Sequence, residues 1–525
     1  MKLTFQARSV IEAEGDVLVV GGYAEEMRLS PAVAALDRAL KGLLSEVLRS
    51  EKFEGKPEQL AYVHTAGRLP AKRVLVVGLG KRKELDSERV RRAAALALRR
   101  SRDLGARIVS TALLGEGLSP KLRAQALAEG ALLGSYTFDR YKREKNKKAI
   151  EELRVVDRER RLDVHVRAGL RLGEIFAAAT CFARDLVNEP ANQVTPAYLA
   201  RAATQIAKDG RLELKIYDRA ECQKLGMGAY LGVAQGSLEP PKFIHLTYRP
   251  PGRARRRIAI VGKGITFDSG GLDLKPADGM LRMKDDMSGA AAVLAIMQAL
   301  LTLGPPQEVH GIIAATENMP SGSAQRPGDI VRAMNGTTIE IGNTDAEGRL
   351  TLADALAYAV KEVRPQEIID LATLTSAIVV ALGNGCSGVM WNDKLLADRV
   401  LVAAGAAGER MWPLPLVDEY RELLKSDVAD LNNVGPRGGG AITAGLFLKE
   451  FAGATPWVHL DIAGTAFSEK DLPLGPKGGT GVGVRTVLSY LMAFSEKDLP
   501  LGPKGGTGVG VRTVLSYLMV QTGRR

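Results

Sequence analysis

Three cysteines and five histidines are all that this 525-residue chain offers of the commonest soft metal ligands, and both scarcities exclude chemistry. Cys181, Cys222 and Cys386 are odd in number, widely separated and free of metal-ligand spacing. A disulfide-stapled secreted scaffold is therefore excluded, and reduced thiols in a cytoplasmic protein are expected. His64, His165, His245, His310 and His459 include no His-Glu-x-x-His pattern, so a zinc hydrolase built on imidazole is not supported. No Gly-x-Ser-x-Gly elbow stands ahead of a suitable histidine, which argues against a serine hydrolase. The N-terminus lacks the basic-then-apolar pattern of a signal peptide, and no uninterrupted apolar run reaches the length of a membrane span. A membrane partner is not expected.

What is present reads as a globular enzyme. Hydrophobic content is 46% and charged content 25%, both ordinary, and the length suggests two to four domains. The net charge is +12, with basic groups concentrated early: Lys81-Arg82-Lys83, Arg91-Arg92, Arg99-Arg100 and the run from Arg140 to Lys148. Such a surface can hold nucleic acid through its phosphates, although a solvated face is the plainer account.

Along the chain, Val17–Val20 and Val74–Val77 read as buried strands, and Ser87 to Leu104 carries apolar residues at helical spacing. This βαβ pattern predicts an N-terminal α/β domain over 1–160 with a parallel or mixed sheet. Gly78-Leu79-Gly80 lacks the third glycine of a dinucleotide loop and reads as a strand-to-helix turn. Charged residues around 140–165 mark a linker. A helix from about His165 to Val187 opens the second region, where Phe243–Tyr248 and Arg257–Val261 read as further buried strands. Residues 466–492 recur without change at 493–519. One tandem copy is not a solenoid, which needs at least three units, so 493–519 is expected to be surplus and to sit outside the core. Val484, Val487, Leu488 and Leu491 give the first copy a helical apolar stripe.

The most informative stretch is Asn343-Thr344-Asp345-Ala346-Glu347-Gly348-Arg349-Leu350. As an extended segment it would aim Asp345, Glu347 and Arg349 from one face. Two carboxylates aimed at one point are costly unless a cation sits there. Upstream lie Val261-Gly262-Lys263-Gly264-Ile265-Thr266-Phe267-Asp268-Ser269-Gly270-Gly271 and Met283-Lys284-Asp285-Asp286-Met287.

Together these motifs resemble the leucyl aminopeptidase family of two-metal exopeptidases. Asn188-Glu189-Pro190-Ala191-Asn192, Glu317-Asn318-Met319-Pro320-Ser321-Gly322, Arg326-Pro327-Gly328-Asp329, Asp370-Leu371-Ala372-Thr373-Leu374-Thr375 and His459-Leu460-Asp461-Ile462-Ala463-Gly464-Thr465 follow in the family's order. The resemblance implies a larger C-terminal α/β catalytic domain, 166–492, with a central mixed sheet flanked by helices. It implies two divalent metal ions, Mn²⁺ or Zn²⁺, one held by Asp268, Asp345 and Glu347, the other by Lys263, Asp268, Asp286 and Glu347. A lysine ligand must be neutral, whereas the plain alternative for Lys263 is an ion pair with Asp268. Lys275 is implied as the donor that polarises the scissile carbonyl, and Arg349 as the anchor of a bicarbonate. Met283, Thr373, Leu374 and Ser376 fall where the family builds its substrate pocket. The implied reaction is removal of N-terminal residues, leucine among them, from peptides with a free N-terminus by a metal-activated water, in a cytoplasmic homohexamer.

The chain departs from the family pattern at Ser288, Ser323, Gln325 and Ser376, none a proposed ligand, and Ser376 leaves the preference for leucine open. Two rivals belong to other classes. Loss of any of the five metal ligands would have favoured a DNA-binding protein on the same scaffold, and all five are present. A two-metal phosphoesterase fits carboxylate ligation, but a lysine ligand and the lack of histidine ligands speak against it.

Overall fold

The computed structural model describes residues 1–24, 30–144, 149–208 and 210–493. The second copy of the tail, apart from Ala493, lies outside the described residues, and with it the expectation that this copy is surplus. The chain divides into two compact units: Met1–Ala178 with Lys470–Pro476, and Ala179–Glu469 with the described residues from Lys477 onward.

The first unit contains strands β1 (Lys2–Gln6), β2 (Val17–Gly22), β3 (Leu60–His64), β4 (Arg73–Gly78), β5 (Ile108–Ala112) and β6 (Glu152–Val156). They form one sheet in the order β1-β6-β5-β2-β4-β3, parallel throughout except for β3. The valine runs occupy its centre because both faces are covered. Val17, Val19, Leu75 and Val77 pack into one apolar cluster, and Leu18, Val20, Val74 and Val76 into another. That alternation is the period-two geometry of a strand buried on both sides. The helix Ser87–Asp103 starts where the Asp86 side chain accepts the Arg89 amide at 2.8 Å. Part of the early basic excess is ion-paired here, Arg92 with Glu88 and buried Arg91 with buried Glu129, and neighbouring Arg89 pairs with Glu84.

One sequence expectation changes. The charged zone read as a linker contains β6, which sits between β1 and β5 in the sheet. Leu153 and Val155 point into the core while Glu152 and Arg154 bond each other at the margin, an alternation that the surrounding charge obscures.

The second unit is built on β7 (Leu212–Tyr217), β8 (Lys242–Tyr248), β9 (Arg257–Asp268), β10 (Glu308–Asn318), β11 (Ile330–Arg332), β12 (Thr338–Glu340), β13 (Glu367–Ala372), β14 (Ser387–Trp391), β15 (Met411–Pro413), β16 (Leu431–Asn432) and β17 (Trp457–Asp461). Eight of these make a mixed sheet in the order β15-β14-β17-β13-β9-β10-β8-β7. The central β9 is parallel to β10 and β13. The expected α/β class with mixed sheets is what the structure shows.

β9 runs well past Val261, where the sequence suggested its end. Gly262 and Gly264 lie inside the strand, where glycine permits a close approach. A Cβ on Gly262 would lie 2.5 Å from the Gly289 carbonyl oxygen. That contact seats the apolar helix Ser288–Leu303 against the sheet. Among the described residues one stretch, Ala277–Leu303, is long and apolar enough to cross a membrane by composition, and most of it is buried in this unit. The helix Val484–Ala493 buries the predicted stripe, and Glu409 accepts hydrogen bonds from the amides of Gly483 and Thr486 at its start.

Candidate metal centre and active-site cleft

Lys263 lies inside β9 and Asp268 ends it. Asp286 follows the short 3-10 turn Met283–Asp285, just before the Ser288–Leu303 helix. Glu347 and Arg349 occupy the first turn of the helix Glu347–Tyr358, with Asp345 in the turn before it. This corrects the extended reading of residues 343–350. The Asn343 Oδ1 accepts the Asp345 amide at 2.7 Å, a local turn that ends the extended path. Glu347 and Asp345 are brought together by a helix start, not by strand alternation.

Carboxylate oxygens of Asp268, Asp286 and Glu347 lie within 4.8 Å of one another, and all three residues are buried. Two lysines each span a pair of acids. Lys263 Nζ is 2.8 Å from Asp286 Oδ1 and 2.8 Å from Glu347 Oε1. Lys275 Nζ is 2.8 Å from Asp268 Oδ2 and 2.6 Å from Asp345 Oδ1. The plain pairing of Lys263 with Asp268 is thus replaced: Asp268 bonds Lys275 instead. Lys263 also donates to the Thr373 carbonyl at 2.9 Å.

Burial pushes the Asp286 carboxyl well above the usual range; Lys263 opposes this, while Glu347 and Asp268 add to it. The Glu347 carboxyl rises through burial and then through Asp268. For Lys263 burial acts downward, but Asp286, Glu347 and Asp268 outweigh it and hold the ammonium above its ordinary value. Burial lowers Arg349 to about 10.

The donor set fits a divalent cation. Asp286 Oδ2 and Glu347 Oε2 are buried and lack a hydrogen-bond partner among the described residues. Buried acceptors without partners are costly, and clustered carboxylate oxygens are the ligands that hard divalent ions take.

Residues that the sequence did not select as ligands or catalytic groups hold these groups in place. Asn318 Nδ2 donates to Asp268 Oδ1 at 2.9 Å and to the Thr344 carbonyl at 3.0 Å. The Thr373 hydroxyl, read as a substrate contact, donates to Asp286 Oδ1 at 2.7 Å. Asn433 donates to the Asn343 carbonyl at 2.7 Å, and its own carbonyl accepts Arg349 Nη1 at 2.8 Å. Asn318 stood in a recognisable motif; Asn433 carried no signal beyond its place before a glycine-rich loop.

All the sequence-selected residues line one cleft of about 550 Å³, including Met283, Thr373, Leu374 and Ser376. That volume is in the range of small-molecule sites, roughly 300–1,000 Å³. Among known proteins, residues 181–488 match the catalytic domain of the cytosol aminopeptidase family, and residues 19–145 match that family's N-terminal domain.

The chain belongs to the cytosol aminopeptidase family.

A probable cytosol aminopeptidase of Persephonella marina is 48% identical over 477 residues, 90% of this chain and 95% of the relative. One from Geobacter is 47% identical over 496 residues, 94% of this chain and 99% of the relative. Among solved structures, a variant of tomato leucine aminopeptidase is similar at a TM-score of 0.85 and 39% identity, covering 94% of this chain and 96% of that one. The bottromycin maturation enzyme in complex with Mn reaches a TM-score of 0.82 at 39% identity, covering 92% of this chain and 100% of that one. Family membership makes the protein a peptidase, a hydrolase of the aminopeptidase type.

Proposed function

We propose that the protein is a metal-dependent aminopeptidase that removes N-terminal residues, leucine among them, from peptides. The observation that carries this reading is the cluster of four carboxylates and two lysines on the wall of a short-peptide-sized cleft. Lys263, Asp268, Asp286, Asp345 and Glu347 would hold two divalent ions, Mn²⁺ or Zn²⁺. Such ions supply a nucleophilic water at neutral pH and draw charge from the scissile carbonyl.

The chain's own residues do the rest. The carboxylate-lined end of the cleft selects a free α-amino group. Lys275, mostly buried on the cleft wall, donates a hydrogen bond to the substrate carbonyl oxygen and stabilises the negative charge that develops there. Lys263 would act as a neutral ligand, a change from its paired ammonium form that a neighbouring dication favours. Arg349 is the residue to hold a bicarbonate, a proton acceptor beside the cleft; its Nε is buried without a hydrogen-bond partner among the described residues. Met283, Thr373, Leu374 and Ser376 form the wall against the substrate's first side chain and backbone. A homohexamer in the cytoplasm is the assembly and location that the family resemblance and the relatives' names support.

The test is hydrolysis of Leu-p-nitroanilide after chelation and after adding back Mn²⁺ or Zn²⁺. Release should depend on metal, vanish in Asp345→Ala and be blocked by N-acetylation of the substrate. Absence of release with either metal across a panel of N-terminal residues would refute the reading.

A further inference from the structure

The cleft holds one basic group that nothing else in it engages. Lys263 and Lys275 bond the carboxylates, Arg282 pairs with Asp285 at 3.2 Å and Glu469 at 3.5 Å, and Arg349 bonds the Asn433 carbonyl. Arg437, also on the cleft wall, is exposed and has no ion-pair or hydrogen-bond partner among the described residues. Asp278 is the corresponding acid: exposed, on the wall and likewise without a partner.

The position of Arg437 is referenced to the catalytic residues. Its loop, Val434-Gly435-Pro436-Arg437, lines the cleft and is rooted at Asn433. Asn433 is fully buried and bonds both sides of the turn that carries Asp345: Gly342 donates to its Oδ1 at 2.8 Å, and its Nδ2 donates to the Asn343 carbonyl at 2.7 Å and the Ala346 carbonyl at 3.4 Å. These bonds tie the root of the Arg437 loop to the turn that carries Asp345. The carboxylate cluster takes a peptide's amino end, so the rest of the peptide extends toward the rim. Two or three residues span only about 7–11 Å when extended, which keeps the far carboxylate of a short peptide within the cleft.

We propose that Arg437 is a specificity-determining residue that binds the free C-terminal carboxylate of di- and tripeptide substrates, which makes short peptides preferred over amides and long chains. This rests on the aminopeptidase reading. A guanidinium suits a carboxylate because its fork of N–H donors matches the two oxygens.

The experiment compares kcat/KM for Leu-Gly and Leu-Gly-amide by the metal-loaded full chain, with Leu-p-nitroanilide as a separate measure of hydrolysis. Wild type is expected to favour the free carboxylate by about five-fold, mainly through KM, and to lose that preference as salt rises. In Arg437→Gln the ratio should fall to near one; Arg437→Lys should keep part of it. The ratio is internal to each protein, so a partial loss of folded material does not change it. A wild-type ratio near one, or an unchanged ratio in Arg437→Gln, would overturn the role of Arg437 while Leu-p-nitroanilide hydrolysis left the aminopeptidase reading standing. No hydrolysis of any of the three substrates would overturn both.

Discussion

Replacing Asn318 by alanine tests whether the carboxylate cluster is a metal centre held from behind. Asn318 is buried and is not a proposed ligand. Its Nδ2 reaches Asp268 Oδ1 at 2.9 Å, and the Gly270 amide reaches the same oxygen at 2.9 Å. The variant leaves that oxygen with one donor from protein backbone and frees the carboxylate to rotate away from Glu347 and Asp286. A hydrogen bond to a charged group contributes about 1.5–3 kcal/mol, which is roughly ten- to hundred-fold in an equilibrium constant. Outer-shell partners of metal ligands characteristically show losses of about that size. Calorimetric titration with Mn²⁺ is the assay, because it reads affinity without relying on turnover. The expected result is a Kd raised ten- to hundred-fold in Asn318→Ala, with far-UV circular dichroism unchanged. A folded variant that binds Mn²⁺ as tightly as wild type would refute the argument that Asp268 needs this support.

Two further outcomes follow from the same geometry. Gly348 faces Lys263 so closely that an added Cβ would lie 2.4 Å from Lys263 Cε; Gly348→Ala should displace the lysine and lower Mn²⁺ affinity and kcat at least ten-fold, at a stability cost of about 1–3 kcal/mol, and crystals showing Lys263 unmoved would contradict this. Asp354, deeper in the same helix, accepts the amides of Tyr230 at 2.8 Å and Met334 at 2.7 Å, yet burial pushes its carboxyl up to about 7. Because that lies above its unfolded value of about 3.9, protonation favours the folded state, and the contribution is lost as pH rises toward 7. The urea stability of wild type relative to Asp354→Asn should therefore be higher at pH 5 than at pH 8, and a difference that stays constant would exclude this linkage.

Local signals were legible without a structure. Val17–Val20 and Val74–Val77 are unbroken β-branched and leucine runs, which only a doubly covered strand accommodates, and both became central strands. Val484, Val487, Leu488 and Leu491 recur at helical spacing and are buried on one helix. Dense motifs such as Asp345-Ala346-Glu347-Gly348-Arg349 name their residues outright, and the family and its α/β class follow from them. Where local pattern and tertiary demand part company, the sequence misleads. The strand read as ending at Val261 runs on to Asp268, and only the close packing of the Ser288–Leu303 helix on Gly262 shows why glycine stands inside it. Glu152–Val156 looks like a linker because charge surrounds it, and only its pairing with β1 and β5 makes it a strand.

The sequence by itself determined which residue types are available for chemistry: acids, two lysines and an arginine, with too few histidines and cysteines for other metal sites. It also determined the helices and strands whose periodicity is complete within a dozen residues. Tertiary structure alone decided which lysine bonds which carboxylate, because Lys263 and Asp268 are close in sequence but the crossover of strands and helices sends them to different partners. It decided too that Asn318 and Asn433, separated by more than a hundred residues, brace one centre. Such contacts depend on where distant backbone segments meet, and no local propensity encodes that.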